Sequence, residues 1–179
     1  MSQVGGHASV NTSISSDSSG ASSTSSSSSE QARARPPTVS VIAGSKSDQS
    51  ITDEASKTLG ELDVPHEVRF LSAHRNPEGL RAYVSQSPAR VFIAVAGLSA
   101  HLPGVVASMT LRPVIGVPVN VKLNGLDSLL SIVQMPPGVP VGCVGIDNAR
   151  NSAILAAEIL AVTDRGVEER LRKMRDAWR

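Results

Sequence analysis

The sequence predicts an α/β fold built on a parallel sheet, and three observations carry that expectation. Strand-like apolar runs alternate with helix-like stretches from residue 38 onward, the pattern of strand–helix–strand units with right-handed crossovers. The run Arg90-Val91-Phe92-Ile93-Ala94-Val95-Ala96 is apolar without alternation, as in a strand covered on both faces. Gly44 and Gly97 end the first and third of these runs, where the chain must turn sharply from strand to helix.

The elements follow in order. Pro36-Pro37 marks the start of the folded part, and Thr38 to Ala43 reads as the first strand. Residues 48–60 read as a helix with Ile51, Ala55, Thr58 and Leu59 on one face and Gly60 near its stop. After Pro65, His66 to Leu71 reads as the second strand. Asn76-Pro77-Glu78 opens a helix running to about Gln86, with proline in its first turn. The apolar run 90–96 is the third strand, and a short helix is expected from Pro103 to Thr110. Pro113 to Val119 and Val141 to Ile146 read as the fourth and fifth strands, each followed by a helix. Asn148 is the expected N-cap of a helix reaching Val162. From Gly166 a last helix carries Val167, Leu171, Met174 and Trp178 on one stripe.

Composition narrows the function. Of the 179 residues, the first thirty hold 14 serines and no aromatic, so residues 1–36 are expected to be a disordered tail. That segment lacks the apolar stretch of a signal peptide and carries only Arg33 and Arg35, against import, so the expected compartment is the cytoplasm. The remainder, residues 37–163 plus the C-terminal helix over 164–179, is large enough for one domain with a sizeable core. No apolar run reaches membrane-spanning length. A net charge of +1 and 2% aromatic residues argue against a nucleic-acid partner. The single cysteine, Cys143, excludes an internal disulfide framework and is expected to be a reduced, buried residue. No histidine pair has metal-ligand spacing, and no metal is expected.

In parallel α/β sheets the ligand lies outside the carboxyl ends of the strands. The loops at 44–48, 72–76, 97–103, 120–125 and 146–148 are therefore the candidates. Gly44-Ser45-Lys46-Ser47-Asp48 combines close backbone approach, hydroxyls and a helix start, which suits a phosphate. It matches neither the P-loop nor the dinucleotide fingerprint, and a plain capping turn by Ser47 or Asp48 is the alternative. Ser72-Ala73-His74-Arg75 places a proton-transfer group beside an anion holder, or else a capping histidine beside a solvated arginine. Ala96-Gly97-Leu98-Ser99-Ala100-His101-Leu102-Pro103-Gly104 is small and apolar with one histidine. On its own, His101 reads as a satisfied histidine near a helix start.

Together these loops resemble a known family. Gly44-Ser45-Lys46-Ser47-Asp48, Ser72-Ala73-His74-Arg75, Ala100-His101-Leu102-Pro103-Gly104 and Ser131-Ile132-Val133-Gln134-Met135-Pro136 are similar to the motifs of 5-(carboxyamino)imidazole ribonucleotide mutase. That family is also known as the catalytic subunit of phosphoribosylaminoimidazole carboxylase. The likeness runs from about Val39 to Val162. It implies a three-layer αβα, flavodoxin-like subunit in a homo-octamer, with the site between subunits and the C-terminal helix on a neighbour. It implies that Ser45, Ser47 and Arg75 hold the ribonucleotide phosphate and Asp48 the ribose hydroxyls. Ser72 joins the substrate-binding set. His74 would be the catalytic, proton-transferring residue. Gly97, Ser99, Ala100 and Leu102 would line the imidazole and carboxylate pocket, with His101 beside it.

The implied reaction moves the carboxylate of the substrate from its exocyclic nitrogen to ring carbon 4, in de novo purine synthesis. Carbamates lose carbon dioxide readily and the aminoimidazole is an enamine-like nucleophile, so no cofactor is expected. An ATP-dependent carbamate-forming synthase is the expected functional neighbour. Gly97-Leu98-Ser99 departs from the Gly-Gly-Ala of bacterial mutases and looks more archaeal. Two alternatives stand beside this reading: a direct carboxylase using free carbon dioxide, and a non-catalytic nucleotide-binding regulatory domain. The direct carboxylases typically carry lysine after the motif histidine and lack His-Leu-Pro-Gly. Arg75 and His101-Leu102-Pro103-Gly104 side with the mutases.

Overall fold

The structure is a computed structural model that describes residues 35–177. The serine-rich tail, apart from its last two residues, and Trp178 lie outside the described residues.

Five strands form one sheet: β1 (Val39–Ala43), β2 (His66–Phe70), β3 (Val91–Gly97), β4 (Val114–Val119) and β5 (Gly142–Cys143). Every ladder is parallel and the spatial order is β2-β1-β3-β4-β5. That is the flavodoxin-like order, in which successive crossovers wind in opposite directions from β1 and β3. The helices are α1 (Gln49–Glu61), α2 (Pro77–Gln86), α3 (Leu102–Ser108), α4 (Leu126–Val133), α5 (Ala149–Ala161) and α6 (Arg165–Asp176).

The two-residue period of the strands sorts the core into two halves. Val39, Val41, Ile93, Val95 and Val117 face one side, where they pack on Ala55, Leu59, Ala153, Ala157 and Leu171 of α1, α5 and α6. Ile42, Phe92 and Ala94 face the other, against Leu80, Val84, Leu102, Val106 and Ile132 of α2, α3 and α4. Covering on both faces explains why β3 reads as an unbroken apolar run. The result is three layers, αβα.

The helix starts are set by the residues expected to set them. Asn76 Oδ1 accepts from the Gly79 N–H at 3.0 Å, and Asn148 Oδ1 from the Asn151 N–H at 3.0 Å. Arg112 secures the other end of α2. It donates to the carbonyls of Val84, Ser87 and Ala89 at 2.9, 2.6 and 2.6 Å, and its guanidinium lies 5.0 Å from the Phe92 ring centre.

Some boundaries differ from expectation. A single 3-10 turn at Lys46–Asp48 precedes α1, and Ser45 caps it by accepting from the Ser47 N–H at 3.2 Å. Ser47 caps neither segment, and Asp48 stands at the N-cap position of α1 without making a side-chain cap bond to it. α3 starts and ends earlier than 103–110 because Met109 already closes its last turn on Val106. β5 is two residues long, whereas Val141 to Ile146 was expected. It lies at the sheet edge and pairs only with β4. Beyond Cys143, isolated bonds from Val144 N to Gly116 O (3.2 Å) and Asp147 N to Pro118 O (2.9 Å) keep the chain alongside β4. Cys143 is half-buried rather than buried, and that burial pushes its thiol pKa up, which keeps it protonated. On α6, Val167, Leu171 and Met174 pack on this chain's own core beside α5.

Candidate active site

The site follows from the topology. Crossovers leave β1 and β3 in opposite directions, so the chain opens a crevice at their carboxyl ends. Three loops meet there: 44–48 after β1, 71–76 after β2 and 98–101 after β3. Leu71 N donates to Ala43 O at 2.8 Å, which carries the β1–β2 ladder up to the cavity. A cavity of about 430 Å³ lies among these loops. Its lining contains His74, Ser45, Ser47, Asp48, Ser72, Arg75, Gly97, Ser99, Ala100, His101 and Leu102, so the fold brings every candidate residue to one place.

Each side chain has a local reason for its position. The Arg75 N–H donates to Ser72 Oγ at 3.3 Å and Asn76 N to Ser72 O at 3.0 Å, a tight turn that swings the Arg75 head back toward β1. There Arg75 Nη2 donates to Gly44 O at 2.7 Å. The guanidinium is thus tied to the loop that carries Ser45 and Ser47. Ser47 Oγ donates to Asp48 Oδ1 at 3.1 Å, so the hydroxyl and the carboxylate are adjacent. One end of the cavity therefore holds two hydroxyls, an arginine fork and the start of a helical segment, a set that suits a phosphate. A carboxylate beside them suits sugar hydroxyls.

The other end is built on the loop after β3. Ala100 N donates to Gly97 O at 3.0 Å, and Leu98 and Ala100 take left-handed backbone angles (φ 55° and 43°). This sharp turn sets His101 opposite His74. His74 Nε2 and His101 Nδ1 lie 2.8 Å apart in a hydrogen bond in which one nitrogen donates, with the rings crossing at 84°. His101 stands at the start of α3, and its ring is satisfied by His74 rather than by a cap bond to that helix. Both rings are exposed on the single chain, as are Arg75, Leu98 and Ser99.

The remaining candidate loops behave differently. From 120–125 only Val121 reaches the cavity, and the 146–148 loop does not line it. Asp147 Oδ1 accepts from the Asn120 N–H at 2.9 Å, so these two loops hold each other. Leu98 falls within the lining run from Gly97 to Leu102, whereas Val121 is a lining residue that loop chemistry did not single out. The register pairs Gly97 with Val119, which places the chain after β4 over Gly97. A Cβ on Gly97 would lie 2.6 Å from Val121 Cγ2, so the approach requires glycine. The Ser131–Pro136 motif does not line the cavity of its own chain. A Cβ on Gly104 would lie 2.9 Å from Met135 Sδ, so this motif packs on the start of α3.

A family model for AIR carboxylase matches residues 38–179. The chain is 56% identical over 138 residues to a protein from Methanocaldococcus jannaschii named N5-carboxyaminoimidazole ribonucleotide mutase, covering 77% of this chain and 88% of that protein. It is 54% identical over 134 residues to the protein of the same name from Mycobacterium leprae, covering 73% and 78%. The crystal structure of Treponema denticola PurE superposes with a TM-score of 0.71 at 26% identity, covering 80% of this chain and 91% of that one.

Proposed function

The chain belongs to the AIR carboxylase family, and on that premise we propose that it is an N5-carboxyaminoimidazole ribonucleotide mutase of de novo purine biosynthesis. It moves the carboxylate of the ribonucleotide from the exocyclic nitrogen to ring carbon 4. The observation that carries the reading onto this chain is the 2.8 Å contact of His74 with His101 inside the cavity that also holds Ser45, Ser47 and Arg75. A nucleotide-binding regulatory domain needs the phosphate end but no histidine pair.

In this reading the phosphate sits against Ser45, Ser47 and Arg75, the ribose hydroxyls against Asp48 and Ser72, and the imidazole beside Gly97 to Leu102. His74 gives a proton to the exocyclic nitrogen as the carbamate C–N bond breaks and its electron pair returns to nitrogen. Ring carbon 4 then attacks the freed carbon dioxide, and His74 takes the ring proton. The proton given at the start is recovered at the end. His101 holds the His74 ring in one orientation and one tautomer while it does both jobs. A positioned histidine of this kind contributes about 10²–10⁴-fold, and the phosphate grip supplies the positioning that adds to it.

The exposure of His74, His101 and Arg75 on one chain supports a site completed by a neighbouring subunit in a homo-octamer. The exposed Leu126, Leu130 and Val133, spaced i, i+4, i+7 along α4, support an assembly surface there. A cytoplasmic enzyme supplied by an ATP-dependent carbamate-forming synthase completes the proposal; among the described residues no helix is long and apolar enough to cross a membrane. The decisive experiment compares the carbamate substrate with aminoimidazole ribonucleotide plus bicarbonate. Efficient conversion of the carbamate alone is expected. Turnover only with high bicarbonate would make the chain a direct carboxylase.

A further inference from the structure

We propose that Ser56 is an acyl-accepting serine with His66 as its general base, in a site separate from the cavity described above. Ser56 Oγ lies 2.7 Å from His66 Nε2, and His66 Nδ1 lies 2.8 Å from the carbonyl oxygen of Val64. A carbonyl can only accept, so Nδ1 carries the ring proton. In the neutral ring Nε2 then holds a lone pair, and the bond between the two side chains must use the serine proton. Other helical hydroxyls bond back to their own helix: Thr52, Thr58, Ser85, Ser108, Ser128 and Ser152 donate to carbonyls three or four residues earlier. Ser56 instead offers its proton to an imidazole whose other nitrogen is tied down. A nucleophile, a base and an orienting group in hydrogen-bonded series is the arrangement that activates a hydroxyl.

The local fold supplies each part. At the end of α1, Val64 N donates to Leu59 O at 2.9 Å, and Asp63, at φ 47°, turns the chain back along the helix. That turn fixes the Val64 carbonyl two residues before His66, which opens β2. Ser56 and His66 are both half-buried. Gly60 lies one turn after Ser56 on the same face of α1. Helix side chains lean toward the N-terminus, so a side chain at position 60 would cover Ser56. Glycine has none, and a Cβ there would meet nothing within 4 Å, which leaves an approach open. The ligand class is a small activated acyl donor, such as an acyl phosphate or an aryl ester. Ser56 Oγ attacks the acyl carbon and its proton passes to His66 Nε2. The phosphate or phenolate leaves with the bonding pair, and the imidazolium gives its proton up to water. The Ser56 N–H is committed within α1 and cannot stabilise an oxyanion, so the ester persists and the site accepts rather than hydrolyses. His66 stands at the amino end of β2, whereas the active-site loops lie at the carboxyl ends, so the proposal stands without the mutase reading.

The test treats the full chain with p-nitrophenyl acetate and locates acetyl groups by peptide mass spectrometry. Ser50, exposed on the same helix, and Lys57, the exposed neighbour of Ser56, serve as internal references. Ser56 is expected to be acetylated about ten-fold or more faster than Ser50. His66→Gln keeps a hydrogen-bonding side chain but removes the base, and is expected to lower Ser56 acetylation about ten-fold or more with Lys57 unchanged. Gly60→Leu leaves the pair intact, adds a better helix former, and is expected to slow Ser56 several-fold by covering it. Mutase turnover is expected to be the same in all three proteins. Acetylation of Ser56 no faster than of Ser50 overturns the proposal. So does an equal Ser56 rate in His66→Gln and wild type, or in Gly60→Leu and wild type. Repeated nitrophenolate release that Ser56→Ala abolishes also overturns it, because the site would then be a hydrolase rather than an acceptor.

Discussion

Arg75→Ala separates binding from chemistry in this site. The guanidinium is exposed, and its one hydrogen bond from the side chain runs to Gly44 O at 2.7 Å. A phosphate seated on Ser45 and Ser47 would meet a fork that is already ordered. A hydrogen bond from a charged donor is worth about 1.5–3 kcal/mol, or about 10- to 150-fold in affinity. Because Gly44 already restricts the side chain, little rotamer freedom is left to lose on binding, so the upper part of that range is expected. The contact exists in substrate and transition state alike. The loss therefore falls on KM and on Kd by calorimetry, with kcat changed by less than about three-fold. Stability should barely respond, by less than about 1 kcal/mol, because water replaces the guanidinium at the Gly44 carbonyl. Arg75→Lys keeps the charge but not the fork, and an intermediate loss is expected. Unchanged KM and Kd would place the phosphate elsewhere. A fall in kcat at constant KM would show that Arg75 touches the reacting groups instead.

His74→Asn keeps approximate shape and hydrogen bonding to His101 but cannot carry a proton, so kcat is expected to fall by about 10²-fold or more with binding retained. Turnover within a few-fold of wild type would transfer the proton role to His101. Leu130→Lys, on the exposed face of α4, is expected to lower the oligomer mass in light scattering with helix content unchanged by circular dichroism; an unaltered mass removes α4 from the assembly surface. Tyr83 has its pKa raised above 10.0 by burial, reinforced by the hydrogen bond it donates to Glu67 Oε1 at 2.8 Å. The folded state therefore favours the neutral phenol, and the stability this confers is present below pH 10 and lost as pH rises beyond it. Urea unfolding of Tyr83→Phe should lose this alkaline slope, and an identical slope in both proteins would refute the assignment.

What the sequence by itself determined is what one segment of chain can decide alone. Asn76-Pro77 and Asn148 start helices because a side-chain oxygen reaches a backbone N–H three residues away. β3 reads as a central strand because both faces of its apolar run must be covered. The candidate site was legible for a similar reason: strand-to-helix loops gather at one end of a parallel sheet, and Ser45, Ser47, His74 and Arg75 stand on such loops. Even the αβα layering follows from alternating elements and right-handed crossovers.

Tertiary structure decided which loops share a cavity. His74 and His101 are 27 residues apart, and no local rule pairs them; the strand order β2-β1-β3 does, by setting two loops face to face across β1. The same order leaves the loops after β4 and β5 outside the cavity, apart from Val121. β5 keeps only two ladder residues because beyond Cys143 the chain stays with β4 through isolated bonds from Val144 and Asp147 alone, a matter of tertiary placement that its own apolar sequence does not carry. The left-handed angle at Leu98 and the packing of Val167, Leu171 and Met174 on their own core likewise depend on what lies opposite. Periodicity reports that a face is buried, and only the assembled chain supplies the surface that buries it.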